Sequence, residues 1–238
     1  MELLYLEEVD STNAYVKTHM AELNDKTVVY TSHQTSGRGR LSRKWLDTGS
    51  DNIYMTICLK PSNEFKEVYS NLTQLLSVVL CLTLEDYGIK PQIKWPNDVL
   101  IDGKKIAGIL SETSIQGSTF LGLALGIGIN LNSTTNELSK IDKPATSLSI
   151  ILGEKINRDD FLHALLDKFC LLYNNFLEEG FLYIKNDYIK RASFFGKNVN
   201  INILGTIHSG TAVSITDNGA LVLEKDLIKN TYLIGDIL

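Results

Sequence analysis

The 238-residue sequence is poor in cysteine and proline, with three and four residues, and the placement of the few cysteines is informative. Cys58, Cys81 and Cys170 are odd in number, lie in apolar runs and form no close pair. That argues against a disulfide framework or a cysteine metal site, and three reduced core thiols are expected. A basic surplus is missing as well: 23 Lys and Arg face 28 Asp and Glu, for a formal net charge of −5. Broad attraction to nucleic acid or anionic lipid is thereby disfavoured, and any positive field must be local. Long apolar runs are lacking; Leu75 to Leu82 falls far short of the ~20 residues that cross a bilayer as a helix. The first ten residues hold Glu2, Glu7, Glu8 and Asp10 and no cation, the wrong charge for a secretory or mitochondrial leader. A cytoplasmic protein with no membrane partner is expected. There is no internal repeat, low-complexity tract or flexible linker. What is present, 44% hydrophobic and 21% charged residues, suffices for one substantial core and a small satellite domain.

Patterning along the chain predicts an α+β fold. Asp10-Ser11-Thr12-Asn13 offers several N-cap side chains after a brief strand, so a short helix begins there and its hydroxyls sit at the helix mouth. Lys26–Ser32 and Asn52–Lys60 read as strands, separated by a polar, arginine-rich loop without period. A helix over Phe65–Tyr87 is predicted to bury one face, through Leu72, Leu75, Leu76, Val79 and Leu82, and to end at Gly88. From Pro91 to Asn132 runs of Val, Ile and Leu alternate with the turn signals Asp102-Gly103 and Gln116-Gly117, which predicts an antiparallel or mixed sheet. Helices follow over Arg158–Leu177 and onward to Arg191, with Gly180 between them. After Gly196 short alternating strands predict a small barrel, with Asn218-Gly219 expected as a type I′ hairpin turn. The predicted domains are residues 1–192 and 193–238.

Three segments carry chemistry. Gln34-Thr35-Ser36-Gly37-Arg38-Gly39-Arg40-Leu41-Ser42-Arg43-Lys44-Trp45 packs four cations and two glycines beside one large aromatic. Glycines let backbone N–H groups approach an anion closely, and arginine forks match carboxylate and phosphate oxygens. A Walker A loop is excluded, because the Gly-Lys-Ser/Thr ending is missing; a plain basic surface loop is the alternative. In the second segment, Lys94-Trp95-Pro96-Asn97-Asp98, a cation, an amide and a carboxylate converge, and the following hairpin returns Lys105 toward Lys94. Gly108, inside an apolar strand, marks a place where something approaches the backbone. The third, Gly126-Ile127-Gly128-Ile129-Asn130, repeats that logic, although each of these two segments taken alone also reads as a packed strand end.

Together these segments, in order, resemble the bacterial biotin protein ligases across nearly the whole chain. Ser11-Thr12-Asn13, Gly37-Arg38-Gly39-Arg40, Lys94 to Asp98, Lys105 to Leu110 and Gly128-Ile129-Asn130 match that family's motifs. The resemblance implies a mixed or antiparallel sheet flanked by helices, similar to the class II aminoacyl-tRNA synthetases, with a C-terminal SH3-like barrel. It implies ATP and Mg2+ as co-substrate and ion, biotin as substrate, a biotin carboxyl carrier protein or domain as partner, and a possible homodimer. By the same resemblance Ser11, Thr12, Asn13, Gln34, Gly37, Arg38, Gly39, Arg40, Lys105 and Gly108 bind biotin. Arg38, Arg40, Arg43, Trp45, Lys94, Asn97, Asp98 and Asn130 bind ATP, and Asp98 is the one motif carboxylate for a metal. Lys105, Arg38 and Arg40 are the catalytic candidates, since bringing a carboxylate to an ATP phosphate requires cations and positioning. His19, His33, His163 and His208 have no acid or thiol at motif spacing, and no covalent nucleophile is expected.

Two departures from the family pattern stand out. Leu41-Ser42-Arg43 follows where relatives continue Arg-Gly-Arg, and the chain ends Gly235-Asp236-Ile237-Leu238 without the basic residue some relatives bring toward the nucleotide. A lipoate or octanoate protein ligase and a noncatalytic biotin-sensing module are the alternatives. Only ten residues precede Ser11, four of them acidic and none basic, so a monofunctional type without a DNA-binding module is expected.

Overall fold

The structure is a computed structural model; it describes residues 1–238 apart from the side chain of Ser42. Its elements run β1 (Leu3–Val9), α1 (Thr12–Thr18), β2 (Val28–Gln34), β3 (Ile53–Leu59), α2 (Leu72–Glu85), β4 (Gln92–Lys94), β5 (Asp98–Ile101), β6 (Lys104–Gln116) and β7 (Thr119–Ile129). Then come α3 (Thr135–Leu138), α4 (Leu148–Leu152), α5 (Arg158–Glu179), α6 (Phe181–Arg191), β8 (Asn198–Ile203), β9 (Thr206–Ile215), β10 (Leu221–Lys225), β11 (Ile228–Tyr232) and β12 (Asp236–Ile237). A seven-stranded sheet in the order β1-β2-β3-β7-β6-β5-β4 is parallel only between β1 and β2, and a five-stranded antiparallel sheet has the order β11-β10-β9-β8-β12. The fold is α+β, a mixed sheet flanked by helices, as the patterning predicted.

Alternation along the central strands creates two unlike faces. Ile53, Met55, Ile57 and Leu59 of β3, with Leu123, Leu125, Ile127 and Ile129 of β7, enter one large core together with α2, α5 and α6. The opposite face of the same strands shows Thr56 and Cys58, then Ala124, Gly126 and Gly128. There α1 covers only one end, through a small cluster of Val16, Met20, Val29, Cys58 and Ala124. The cleft lies on that thinly covered face.

Several details differ from the sequence-based expectations. The helix expected over Phe65–Tyr87 is a 3-10 turn, Glu67–Asn71, leading into α2, which is buried nearly all round rather than on one face. Enclosure by α5, α6, the large sheet and the C-terminal sheet accounts for this: the Asn218-Gly219 turn is tied to α2 by Asn71 Nδ2 on Asn218 O at 3.1 Å and Gln74 Nε2 on Gly219 O at 3.0 Å. That turn is not type I′, which requires positive φ at both central residues. Only Gly219 has it (φ 79), and Thr216 N–H donates to Ala220 O at 2.9 Å, closing a longer turn with glycine at the left-handed position. Asp102-Gly103 does adopt positive φ at both residues, 49 and 75. Cys58 and Cys81 are buried as expected, whereas Cys170 is exposed. On α5 the core stripe is Phe161, Leu165, Leu166, Phe169, Tyr173 and Phe176, and Cys170 falls one position off it. Asn157 starts that helix by accepting from the N–H groups of Asp159 (3.0 Å) and Asp160 (3.2 Å).

Candidate active site

The cleft has a volume of about 470 Å³, within the range of small-molecule sites. Its floor is glycine. Gly108 faces Gly128 across the β6–β7 ladder and Gly126 faces Leu110, so three of these four positions present backbone and no side chain. An ideal Cβ on Gly128 would lie 2.3 Å from Trp45 Cε2, one on Gly108 would lie 2.9 Å from Trp45 Cζ3, and one on Gly126 would lie 1.9 Å from Asn13 Oδ1. The close approach that these glycines imply is thus made by Trp45 and Asn13 themselves.

One end of the cleft is neutral and polar. Ser11 caps α1, and Thr12 bonds to Gln34 Oε1 through both its N–H (2.9 Å) and its hydroxyl (3.2 Å). Behind them the fully buried Thr56 Oγ1 lies 2.8 Å from Thr12 Oγ1 and 2.7 Å from Asn13 Oδ1. Asn13 Nδ2 donates to Glu112 Oε2 at 3.1 Å, and Glu112 Oε1 takes Lys17 Nζ at 3.0 Å and Arg38 Nη2 at 3.4 Å. Burial pushes the Glu112 carboxyl upward, but the bonds from Lys17 and Asn13 outweigh it and hold the group below its usual value. Thr56 and Glu112 were missed in the sequence. Thr56 sits in a β-rich apolar run where threonine is unremarkable, and Glu112 acquires its neighbours only through strand register.

The other end is cationic. Eight basic side chains and three carboxylates line the cleft, in a chain whose net charge is −5. Lys105 Nζ lies 2.7 Å from Asp98 Oδ1 and 5.4 Å from the Trp45 ring centroid. Arg40 Nη1 lies 2.9 Å from Asp236 Oδ1 and 3.3 Å from Asn97 Oδ1. Arg43 Nη2 sits 2.8 Å from Asp236 Oδ2 as an ion pair without the alignment of a hydrogen bond. Burial lowers the Lys94 ammonium pKa, assisted by the nearby Lys143 and Lys105 charges and opposed by Asp98 and Asp236. The arginine segment is no open loop: Arg38 bridges Lys44, Gly39 N–H donates to Arg43 O at 2.8 Å, and Trp45 N–H donates to Gly37 O at 2.9 Å. Leu41 takes the left-handed conformation (φ 52), a strained position for a branched side chain. The C-terminal segment thus brings a carboxylate, Asp236, to this end of the cleft.

Of the residues singled out in the sequence, Ser11, Thr12, Asn13, Gln34, Arg38, Gly39, Arg40, Arg43, Trp45, Lys94, Asn97, Asp98, Lys105, Gly108 and Asn130 all line this one cleft. Gly37 lies outside the lining; its Cα faces the Trp45 carbonyl so closely that a Cβ would sit 2.4 Å from that oxygen. Trp45 Nε1 is buried and without a hydrogen-bond partner among the described residues. No group of three His, Cys, Asp or Glu side chains is arranged to hold a metal ion among them, and Asp98 Oδ1 is already taken by Lys105. The donor set therefore does not fit a magnesium cage built by protein alone.

The chain belongs to the Biotin/lipoate A/B protein ligase family, whose model matches residues 5–130. Within it the likeness is to proteins that handle biotin. The chain is 36% identical over 209 residues to the Bifunctional ligase/repressor BirA of Bacillus subtilis, matching 87% of this chain and 64% of that longer protein. It is 32% identical over 229 residues to the Biotin--[acetyl-CoA-carboxylase] ligase of Paracoccus denitrificans, with 92% of each chain covered. The biotin protein ligase from Aquifex aeolicus, solved in complex with biotin and ATP, superposes with a TM-score of 0.83 at 29% identity over 100% of this chain and 97% of that one. These likenesses bear out the resemblance carried by the five motifs.

Proposed function

We infer that this protein is an ATP-dependent biotin protein ligase, which converts biotin to biotinyl-5′-AMP and then joins biotin to a lysine of a biotin carboxyl carrier protein or domain. The observation that carries this reading is the polarity of the cleft: neutral donors and acceptors at Ser11, Thr12 and Gln34, a glycine floor, and a cationic end at Lys105, Arg38 and Arg40. Biotin has that same polarity, a ureido ring at one end and a carboxylate at the other. In the first step a carboxylate oxygen attacks the α-phosphorus of ATP and pyrophosphate departs. Lys105 and the two arginines offset the repulsion between these anions. In the second step the carrier amine attacks the acyl carbon, AMP leaves, and the amine's extra proton passes to solvent. The mixed anhydride already carries a good leaving group, so the chain need supply no covalent nucleophile.

The finer assignments follow from the same reading. Ser11, Thr12, Asn13, Gln34, Gly37, Arg38, Gly39, Arg40, Lys105 and Gly108 form the biotin side. Arg38, Arg40, Arg43, Trp45, Lys94, Asn97, Asp98 and Asn130 form the nucleotide side. Magnesium accompanying ATP would neutralise phosphate charge, and Asp98 is the one motif carboxylate that could hold it. Residues 1–192 would be the catalytic domain, similar to the class II synthetases, and 193–238 an SH3-like barrel. The open edge at β1 is compatible with a homodimer, and a cytoplasmic setting is part of the same proposal. A lipoate or octanoate ligase is disfavoured by the cation-rich Gly37–Arg43 loop. Single-turnover incubation with labelled biotin and ATP tests the reading: labelled biotinyl-AMP supports it, and bound but unreacted biotin supports a sensing module instead.

A further inference from the structure

The segment between Asn130 and α4 carries Lys140 and Lys143, exposed on the rim of the cleft, and no motif pointed to either. Backbone pairing fixes where this rim lies. Lys105 N–H donates to Pro144 O at 2.9 Å, Thr146 N–H donates to Lys105 O at 2.9 Å, and Lys105 and Ala145 form a parallel bridge. Asn130 holds the segment from the other side, its Nδ2 donating to Thr146 O at 3.2 Å. Lys143 is therefore two residues from a position zipped to the strand that bears Lys105.

The charges there are unevenly matched. Lys105 has Asp98, Arg38 has Glu112, and Arg40 and Arg43 share Asp236. Among the described residues, neither Lys94 nor Lys143 has an ion-pair partner, although both line the same cleft. Lys143 and Lys105 both disfavour the charge on the half-buried Lys94. The three ammonium groups repel one another, and Asp98 and Asp236, which oppose this at Lys94, are already engaged by Lys105, Arg40 and Arg43; a multiply charged anion relieves the repulsion. The neutral end of the cleft, at Thr12 and Gln34, is already committed to a different kind of group.

We propose that Lys143 grips the two terminal phosphates of ATP and steadies pyrophosphate as it leaves. This rests on the ligase reading. In the adenylation step the biotin carboxylate oxygen forms a bond to the α-phosphorus, and the α–β bridging P–O bond breaks. Its electron pair leaves with the pyrophosphate. Lys105 stands at the α-phosphorus, and Lys143 stands beyond it toward solvent, on the exit path of the leaving group. AMP and biotin make no demand on it, so Lys143 discriminates between the reactants.

The test is biotin-dependent ATP–pyrophosphate exchange by the full chain and by its Lys143→Ala, Lys143→Glu and Lys143→Arg variants. The KM values for pyrophosphate, ATP and biotin are measured separately. For Lys143→Ala the KM values for pyrophosphate and ATP rise about tenfold, the loss of one charge-assisted contact, and Lys143→Glu raises them further. Lys143→Arg stays within about twofold of the parent, while the KM for biotin moves less than about twofold in every variant. Unchanged KM values for pyrophosphate and ATP in Lys143→Ala overturn the proposal, because the lysine is then only a solvated surface group. Equal rises for biotin and pyrophosphate, or no rescue by arginine, overturn it in favour of a structural role for the rim. Absence of exchange by the unaltered chain refutes the ligase reading itself, and this proposal with it.

Discussion

Lys105 is where the chemistry of the site concentrates. Its ammonium is held 2.7 Å from Asp98 and faces the Trp45 ring, so it is oriented before any substrate arrives. Preorganised cations of this kind act on charge that develops in the transition state. Lys105→Ala is expected to lower biotin-dependent ATP–pyrophosphate exchange by roughly 10²- to 10³-fold while circular dichroism and thermal unfolding stay near those of the parent; normal exchange would refute its role. Glu112 has a different signature. Its carboxyl is held below the usual value despite burial, by Lys17 and Asn13, so folding favours the ionised form. The stability it contributes is present above the unfolded-state value and is lost as pH falls through the depressed folded-state value. Glu112→Gln should therefore flatten the acid limb of the Tm-against-pH curve below about pH 4.5, and an unaltered limb would contradict the assignment. At this scale legibility followed chemistry. Arg38, Lys94 and Lys105 stood out because each lies in a short segment where cations meet glycine, proline or a hairpin turn, whereas Glu112 and Lys143 gained meaning only when register and backbone pairing gave them neighbours.

Among the elements, the arginine segment departs most from its sequence reading. A structureless loop was expected, yet Gly37–Trp45 closes on itself through backbone bonds and is fastened from outside by Asp236 on β12. Asp236 is buried between two guanidinium groups, an arrangement that holds the segment while masking part of its charge. Asp236→Ala is expected to speed tryptic cleavage between Arg38 and Lys44 severalfold in the absence of ligand, with ATP and biotin restoring protection; cleavage at the parent rate would show that the tether is unimportant. Asp236 was not legible as a site residue, because nearly two hundred positions separate it from Arg40 and only the packing of the C-terminal sheet joins them. Strands and hairpins were more readable, since alternation and glycine turns are local signals. The Asn218-Gly219 turn type was misread because its contacts with Asn71 and Gln74 are remote.

For the whole molecule, the two sheets share one apolar core: Ile201, Ala212, Leu221 and Leu223 belong to the same cluster as α2 and the central strands. Trp95 Nε1 donates to Gly219 O at 3.2 Å, so the Lys94–Asp98 segment is braced directly by the C-terminal part. α2 with its preceding turn is long and apolar enough to pass for a membrane span, but 72% of that window is buried in protein. The α+β class was legible because its strand and helix periods are distinct. The shared core was less so, since contacts between distant segments leave no local pattern. The central claim is that this cleft activates biotin for a protein lysine. It is tested most directly by incubating the chain with ATP, magnesium and a carboxylase carrier domain, adding either biotin or lipoate, and weighing the intact carrier. A gain of one biotinyl group, dependent on ATP and absent with lipoate, is the predicted result; an unmodified carrier, or one that takes lipoate instead, would contradict the account.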